Sequence, residues 1–117
     1  MNASIMNISI NGHEIRRVRN ARSWHQRLVG LLTTKKSAFR GIVIDPCNSI
    51  HTIGMRYPID VVFADNDHVV VRVFKNVRPF KFCFGGRNAR YTVELPIGSI
   101  EKYDINAGNS FQLNVIS

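Results

Sequence analysis

Long apolar runs are missing from this 117-residue chain, and none approaches the roughly 20 residues that a membrane-crossing helix needs. Residues 1–7 also lack the basic start and apolar stretch of a secretory signal. The expected location is therefore the cytoplasm, or outside it had a leader been removed. Cysteine is scarce: Cys47 and Cys83 are too few for a disulfide scaffold and fit two reduced thiols, a bridge becoming the expectation only on export. No repeat, linker or low-complexity tract breaks the sequence, so residues 1–117 are expected to form a single domain and, with no long exposed apolar stretch, a monomer. With 44% hydrophobic and 21% charged residues, the composition argues against disorder and allows an ordinary core.

Acid is the other shortage, with 8 acidic residues against 16 basic ones and a net charge of +8. Residues 15–44 contain no acid and carry Arg16, Arg17, Arg19, Arg22, Arg27, Lys35, Lys36 and Arg40. Residues 68–93 contain none either and carry Arg72, Lys75, Arg78, Lys81, Arg87 and Arg90. Segregation of this kind suits nucleic acid, another polyanion or an acidic protein partner, although a soluble basic protein without such a partner has the same composition.

Periodicity predicts about seven short strands. Residues 5–10 alternate, Asn11-Gly12 has the chemistry of a type I′ hairpin turn, and residues 13–19 return. Ser23 and Gln26 have capping-box spacing, and Trp24, Leu28, Leu31 and Leu32 form one apolar face, so a short helix is expected over 23–32. Further strands are expected over 41–44, 59–64, 69–74, 91–95 and 111–115, with turns at 65–68 and 106–109 and one helical turn near 99–103. Residues 75–90 read as a long loop with an aromatic patch. The sum is a mainly β, antiparallel sandwich or barrel with one helix closing a side.

Most of the chemical information sits in Cys47-Asn48-Ser49-Ile50-His51-Thr52-Ile53-Gly54-Met55-Arg56-Tyr57-Pro58-Ile59-Asp60-Val61-Val62-Phe63. Together with Arg27-x-x-Gly30-Leu31-Leu32, Val93-Glu94-Leu95-Pro96-x-Gly98 and Ala107-Gly108-Asn109, this run resembles the prokaryotic family known as domain of unknown function 192. The resemblance covers about residues 15–115 and implies a jelly-roll-like domain with no assigned biochemical role. Lys35-Lys36-Ser37 and Tyr91-Thr92 depart from the family's usual pattern.

On the strand at 59–64, Asp60 shares a face with Val62 and Ala64, so it is expected to be buried and in need of a partner such as Arg56 or Arg90. That partner makes it either a core ion pair or a site carboxylate. Gly54 permits a positive φ, and Tyr57-Pro58 suits a cis bond or a sharp turn, which would fix His51 and Arg56 on a rigid backbone. The leading functional expectation is a non-catalytic binding module with a small pocket for an anionic ligand or peptide. Its expected lining is His51, Thr52, Met55, Arg56, Asp60 and Glu94.

Two alternatives accompany it. A hydrolase could use His51 with Asp60 or Cys47, although no recognised catalytic spacing supports this. Alternatively, nucleic acid could bind through the basic segments, with Phe80, Phe82 and Phe84 as a stacking platform among Arg78, Lys81, Arg87 and Arg90. On the simpler expectation those phenylalanines fold inward, because exposing them is a liability. Cys47 and His51 supply only two of the roughly four ligands of a closed zinc site, and Cys83, His13, His25 and His68 show no spacing that recruits them. No metal or other cofactor is expected.

Overall fold

The computed structural model describes residues 5–22, 35 and 38–115. The helix expected over 23–32 lies outside the described residues. Nine strands lie among the described residues: β1 Ile5–Ile10, β2 His13–Ala21, β3 Ile42–Ile44, β4 Ser49–His51, β5 Ile59–Asp65, β6 Val70–Val77, β7 Phe82–Phe84, β8 Ala89–Pro96 and β9 Phe111–Val115. A single short helix among the described residues, α1, spans Ser99–Lys102. The chain is therefore mainly β, and all seven expected strands form. Two more, β4 and β7, arise inside segments that read as loop.

Seven strands make one sheet in the order β6-β5-β8-β3-β2-β1-β9, and β4 pairs with β7 as a separate two-stranded sheet. Asn11 and Gly12 both take positive φ (52° and 78°), as the hairpin between β1 and β2 demands. The pairings are antiparallel except β2 with β3, which run parallel. A parallel pair needs a long crossover, and the residues between Ala21 and Ile42 supply the length.

The large sheet curls until its two edges approach. Val69 bridges Ser110, and the Phe111 amide donates to the His68 carbonyl at 2.9 Å. This joins β6 to β9 at one end, so the sheet is curled without being a closed barrel. Inside the curl lie Met6, Ile8, Ile10, Val18, Val43, Val62, Val93, Leu95 and Phe111, plugged by Ile100 and Ile105 from α1 and the turn after it. A second cluster occupies the other face of β3, β5 and β8. There Ile42, Ile44, Ile59, Val61 and Phe63 are roofed by Phe39, Ile50, Met55, Tyr57 and Cys83. The small sheet is thus the outer layer over the convex side. Gly85 lets the chain leave β7 directly across Phe63, since a Cβ there would fall 2.3 Å from the ring.

The cis peptide lies at Asp45–Pro46 and not at Tyr57–Pro58, so of the two expectations for the latter the cis bond falls and the chain bends there in trans. Gly54 has φ 89°, as expected.

Candidate functional site

The small sheet sorts its residues by alternation. Ile50 and Cys83 are opposite each other and both face inward, while Ser49–Phe84 and His51–Phe82 pair on the outer side. Opposite residues of an antiparallel pair share a face. His51, Phe82 and Phe84 therefore stand together on the surface. Phe82 is 71% exposed and Phe84 46%; beside them Phe80 is 76% exposed and Ile53 56%. The inward-folded expectation for these phenylalanines is corrected: Cys83 and Ile50 fill the space under the small sheet and leave the rings outside.

The flanking loops are held by Thr52, which is fully buried. Its amide donates to the Lys81 carbonyl (2.8 Å), and its carbonyl accepts from the Phe80 amide (3.2 Å). Its hydroxyl donates to the Arg78 carbonyl and accepts from the Lys81 amide, both at 2.7 Å. Residues 78–81 are thereby wrapped around one side chain. Within them Phe80 is held at φ 64°, a left-handed conformation that a bulky aromatic rarely adopts. Strain at an exposed apolar ring is unusual for a residue with only a packing role.

Cations flank these phenylalanines along the chain. Arg56, Arg78, Lys81 and Arg87 are exposed, and no acid occurs between Pro46 and Ile59 or between His68 and Val93. Arg72 sits over the Phe74 ring at 5.2 Å and donates to the Phe84 carbonyl at 3.2 Å, which fixes its guanidinium beside the platform. Phe80, Phe82 and Phe84 were expected as a stacking platform on the nucleic-acid reading and Arg72 as one base of the segment 68–93, whereas Ile53 belonged to no expected site. The alternating Phe-Lys-Phe-Cys-Phe pattern was the signal for the three phenylalanines.

The structure does not bring the six expected pocket residues together. His51 and Arg56 are exposed, whereas Thr52 and Met55 are buried beneath them. Asp60 lies under α1, where its cavity is lined by Lys75, Asn76, Ile97, Gly98 and Glu101. Its Oδ1 accepts from the Asn76 amide and its Oδ2 from the Ile100 amide, each at 2.9 Å. Asn76 stands in a bulge of β6 with φ 52°, between the pairs Ile59–Val77 and Val61–Phe74. Ile100 is in the first turn of α1, whose N-cap Gly98 has no side chain to cap it. Asp60 therefore replaces the missing cap and satisfies the bulge at the same time. Neither Arg56 nor Arg90 is its partner. Arg90 instead donates to Asp45 (3.1 Å) and Asn66 (2.6 Å), and the Asp45 hydrogen bond and charge raise its pKa further. Arg90 thus clasps two loops away from the phenylalanines.

Glu94 is fully buried on the face opposite Asp60, since Asp60 pairs with Leu95 and Val61 with Glu94. Its negative charge reaches Tyr57 and Cys83, both pushed above their ordinary pKa, first by burial and second by Glu94. The buried Cys83 thiol consequently stays protonated and weakly nucleophilic. Cys47 Sγ donates to the Ser49 carbonyl at 3.0 Å, and both cysteines are free. No hydrogen bond links Cys47, His51 and Asp60 among the described residues, so a triad is not assembled. No group of three or more His, Cys, Asp or Glu side chains among the described residues could hold a metal ion. No described helix is long and apolar enough to cross a membrane.

Comparison with known proteins agrees with this architecture. The chain is 31% identical over 104 residues to a UPF0127 protein of Thermococcus sibiricus, spanning 85% of this chain and 67% of that one. It is 33% identical over 109 residues to a UPF0127 protein of Pyrococcus furiosus, spanning 88% and 92%. A crystal structure of a protein of unknown function from Novosphingobium aromaticivorans superposes with a TM-score of 0.78 at 18% identity, over 92% of this chain and 84% of that one, a likeness of fold. The model of the domain of unknown function 192, described as an uncharacterized ACR, matches residues 6–113, and the chain belongs to that family.

Proposed function

We propose that this domain is a non-catalytic binding module that takes single-stranded nucleic acid on the outer face of the β4–β7 sheet. One observation carries the proposal: Phe80, Phe82 and Phe84 are presented to solvent at 76%, 71% and 46% exposure, on a segment that carries exposed Arg78, Lys81 and Arg87 and no acid. Every base has a π-face that can stack on such rings, and the phosphates between bases suit Arg56, Arg72, Arg78, Lys81 and Arg87. A duplex hides its base faces, so unpaired strands are the fitting partner. His51 and Arg56, expected to receive an anion, stand on or beside this face. Asp60 and Glu94 play no part in it.

The test is fluorescence anisotropy with labelled single-stranded oligonucleotides over a salt series. If four cations meet phosphates, the logarithm of affinity should fall against the logarithm of salt with a slope of about −3. Replacing Phe82 with Ser should weaken binding by roughly 5- to 150-fold, the value of one stacked base. Absence of any binding below 50 mM salt, or unchanged binding in a Phe80→Ser/Phe82→Ser variant of native stability, would refute the proposal.

A further inference from the structure

A second cationic surface lies on other residues. Between Met6–Val18 and Ile8–Ile15 the β1–β2 ladder gains one residue on β2, a bulge at Arg16 and Arg17. Arg17 takes φ 60° there, and its amide donates to Asn7 Oδ1 at 3.1 Å. Such a conformation costs a non-glycine residue roughly 1–2 kcal/mol. The bulge separates two neighbouring arginines: Arg16 pairs with Glu14 at 2.8 Å, while Arg17 lines a different groove.

That groove, of about 450 Å³, is lined by Arg17, Arg19, Lys35, Arg40 and their neighbours Phe39 and Gly41. Gly41 allows the close approach, since a Cβ would stand 3.1 Å from the Glu94 carbonyl oxygen, and its own carbonyl accepts from the Arg19 amide at 3.1 Å. Phe39, packed against Tyr57, supplies a buried floor. No acid lines the groove, and none of its four cations has an ion pair among the described residues. Elsewhere Arg16, Lys75 and Arg90 each meet a carboxylate. Four exposed cations with no carboxylate among them, beside a strained backbone, give a local positive field that favours an anion.

We infer that this groove is an anion site for a chain of linked phosphates, as found in a nucleotide di- or triphosphate or in free polyphosphate. Three guanidinium forks suit bidentate phosphate oxygens, and four cations match an oligophosphate better than a single phosphate. The volume lies within the range of about 300–1,000 Å³ usual for small-ligand sites. No residue is shared with the phenylalanine platform, so the two sites stand or fall separately.

Isothermal titration of the full chain with inorganic triphosphate, ATP and orthophosphate tests this. Triphosphate should bind at least about tenfold more tightly than orthophosphate, and Arg17→Gly and Arg40→Gln should each weaken it by about tenfold, the loss of one charge-assisted contact. Glycine is at home at φ 60°, so Arg17→Gly removes the cation while easing the fold. Phe82→Ser should leave triphosphate binding unchanged. Tighter binding of ATP than of triphosphate that persists in Phe82→Ser and is lost in Arg17→Gly would assign the groove to nucleotides, and equal binding to the phosphate chain alone. Indifference among the three anions, or full binding in Arg17→Gly, would overturn the inference.

Discussion

Removing the Asp60 carboxylate tests whether this residue holds the fold or serves recognition. In Asp60→Ala the Asn76 and Ile100 amides lose acceptors at 2.9 Å, and the Ile100 hydrogen bond is buried. A buried donor left unsatisfied costs about 1–3 kcal/mol, and bonds to a charged acceptor sit toward the upper end. Two of them, offset by partial rehydration of the more exposed Asn76, give a loss of about 3 kcal/mol. With an unfolding entropy of about 2.1 cal/mol/K per residue over 117 residues, Tm should fall by about 12 °C. Asp60→Asn keeps one acceptor and should lie between the two. The assay is thermal unfolding followed by circular dichroism, with oligonucleotide affinity measured well below the lowered Tm. Affinity should stay within about twofold of the native value, because a contribution under about 0.4 kcal/mol is expected from a group buried under α1. A Tm shift below about 2 °C would refute the clamp. Native stability with abolished binding would move Asp60 into the recognition surface.

Gly85→Ala should cost about 1–3 kcal/mol in urea unfolding through the clash with Phe63, and Phe63→Leu in the same chain should recover part of it. Thr52→Val should cost about 1–2 kcal/mol by leaving the Lys81 amide without its hydroxyl acceptor, and it should also weaken oligonucleotide binding as Phe80 is released. Iodoacetamide should alkylate half-buried Cys47 before Cys83, whose labelling should track global unfolding; equal rates in native protein would contradict its burial. Cys83 and Tyr57 have folded pKa values raised above their unfolded ones, so the folded state holds their protons more tightly. Their contribution is complete below about pH 8.5 and is lost as pH rises through the folded values, so stability should decline in alkali, less steeply in Cys83→Ala. A flat stability profile up to pH 11 would contradict the shifts.

Alternation made most of the sheet legible. Ile59 to Ala64 shows why: Ile59, Val61 and Phe63 belong to one core cluster and Val62 and Ala64 to the other, and one strand with two buried faces fixes its neighbours' positions. The three-residue strands β4 and β7 were not legible, because so short a run has no period to detect. In Phe82-Cys83-Phe84 the alternation was visible but its sign was not. Hydrophobicity would put two phenylalanines inside, yet the space beneath the small sheet is filled by Ile50, Cys83 and the ring of Phe63. Asp60 was legible as buried, but its partners were not. Backbone amides 16 and 40 residues away leave no mark in side-chain chemistry, whereas arginines advertise themselves. The groove at Arg17 escaped for a related reason: a bulge that redirects a side chain depends on ladder register, which composition does not encode.

The β6 bulge at Asn76 has a consequence for crowded solutions. β6 is an outermost strand, and a straight outermost strand offers its free backbone groups to any neighbouring molecule as a template for aggregation. Twisting it at Asn76, with Arg72 and Lys75 projecting along it, denies a second molecule the regular spacing it would need. The carboxylate that satisfies the kink therefore also helps keep this edge from offering a regular ladder to a second molecule.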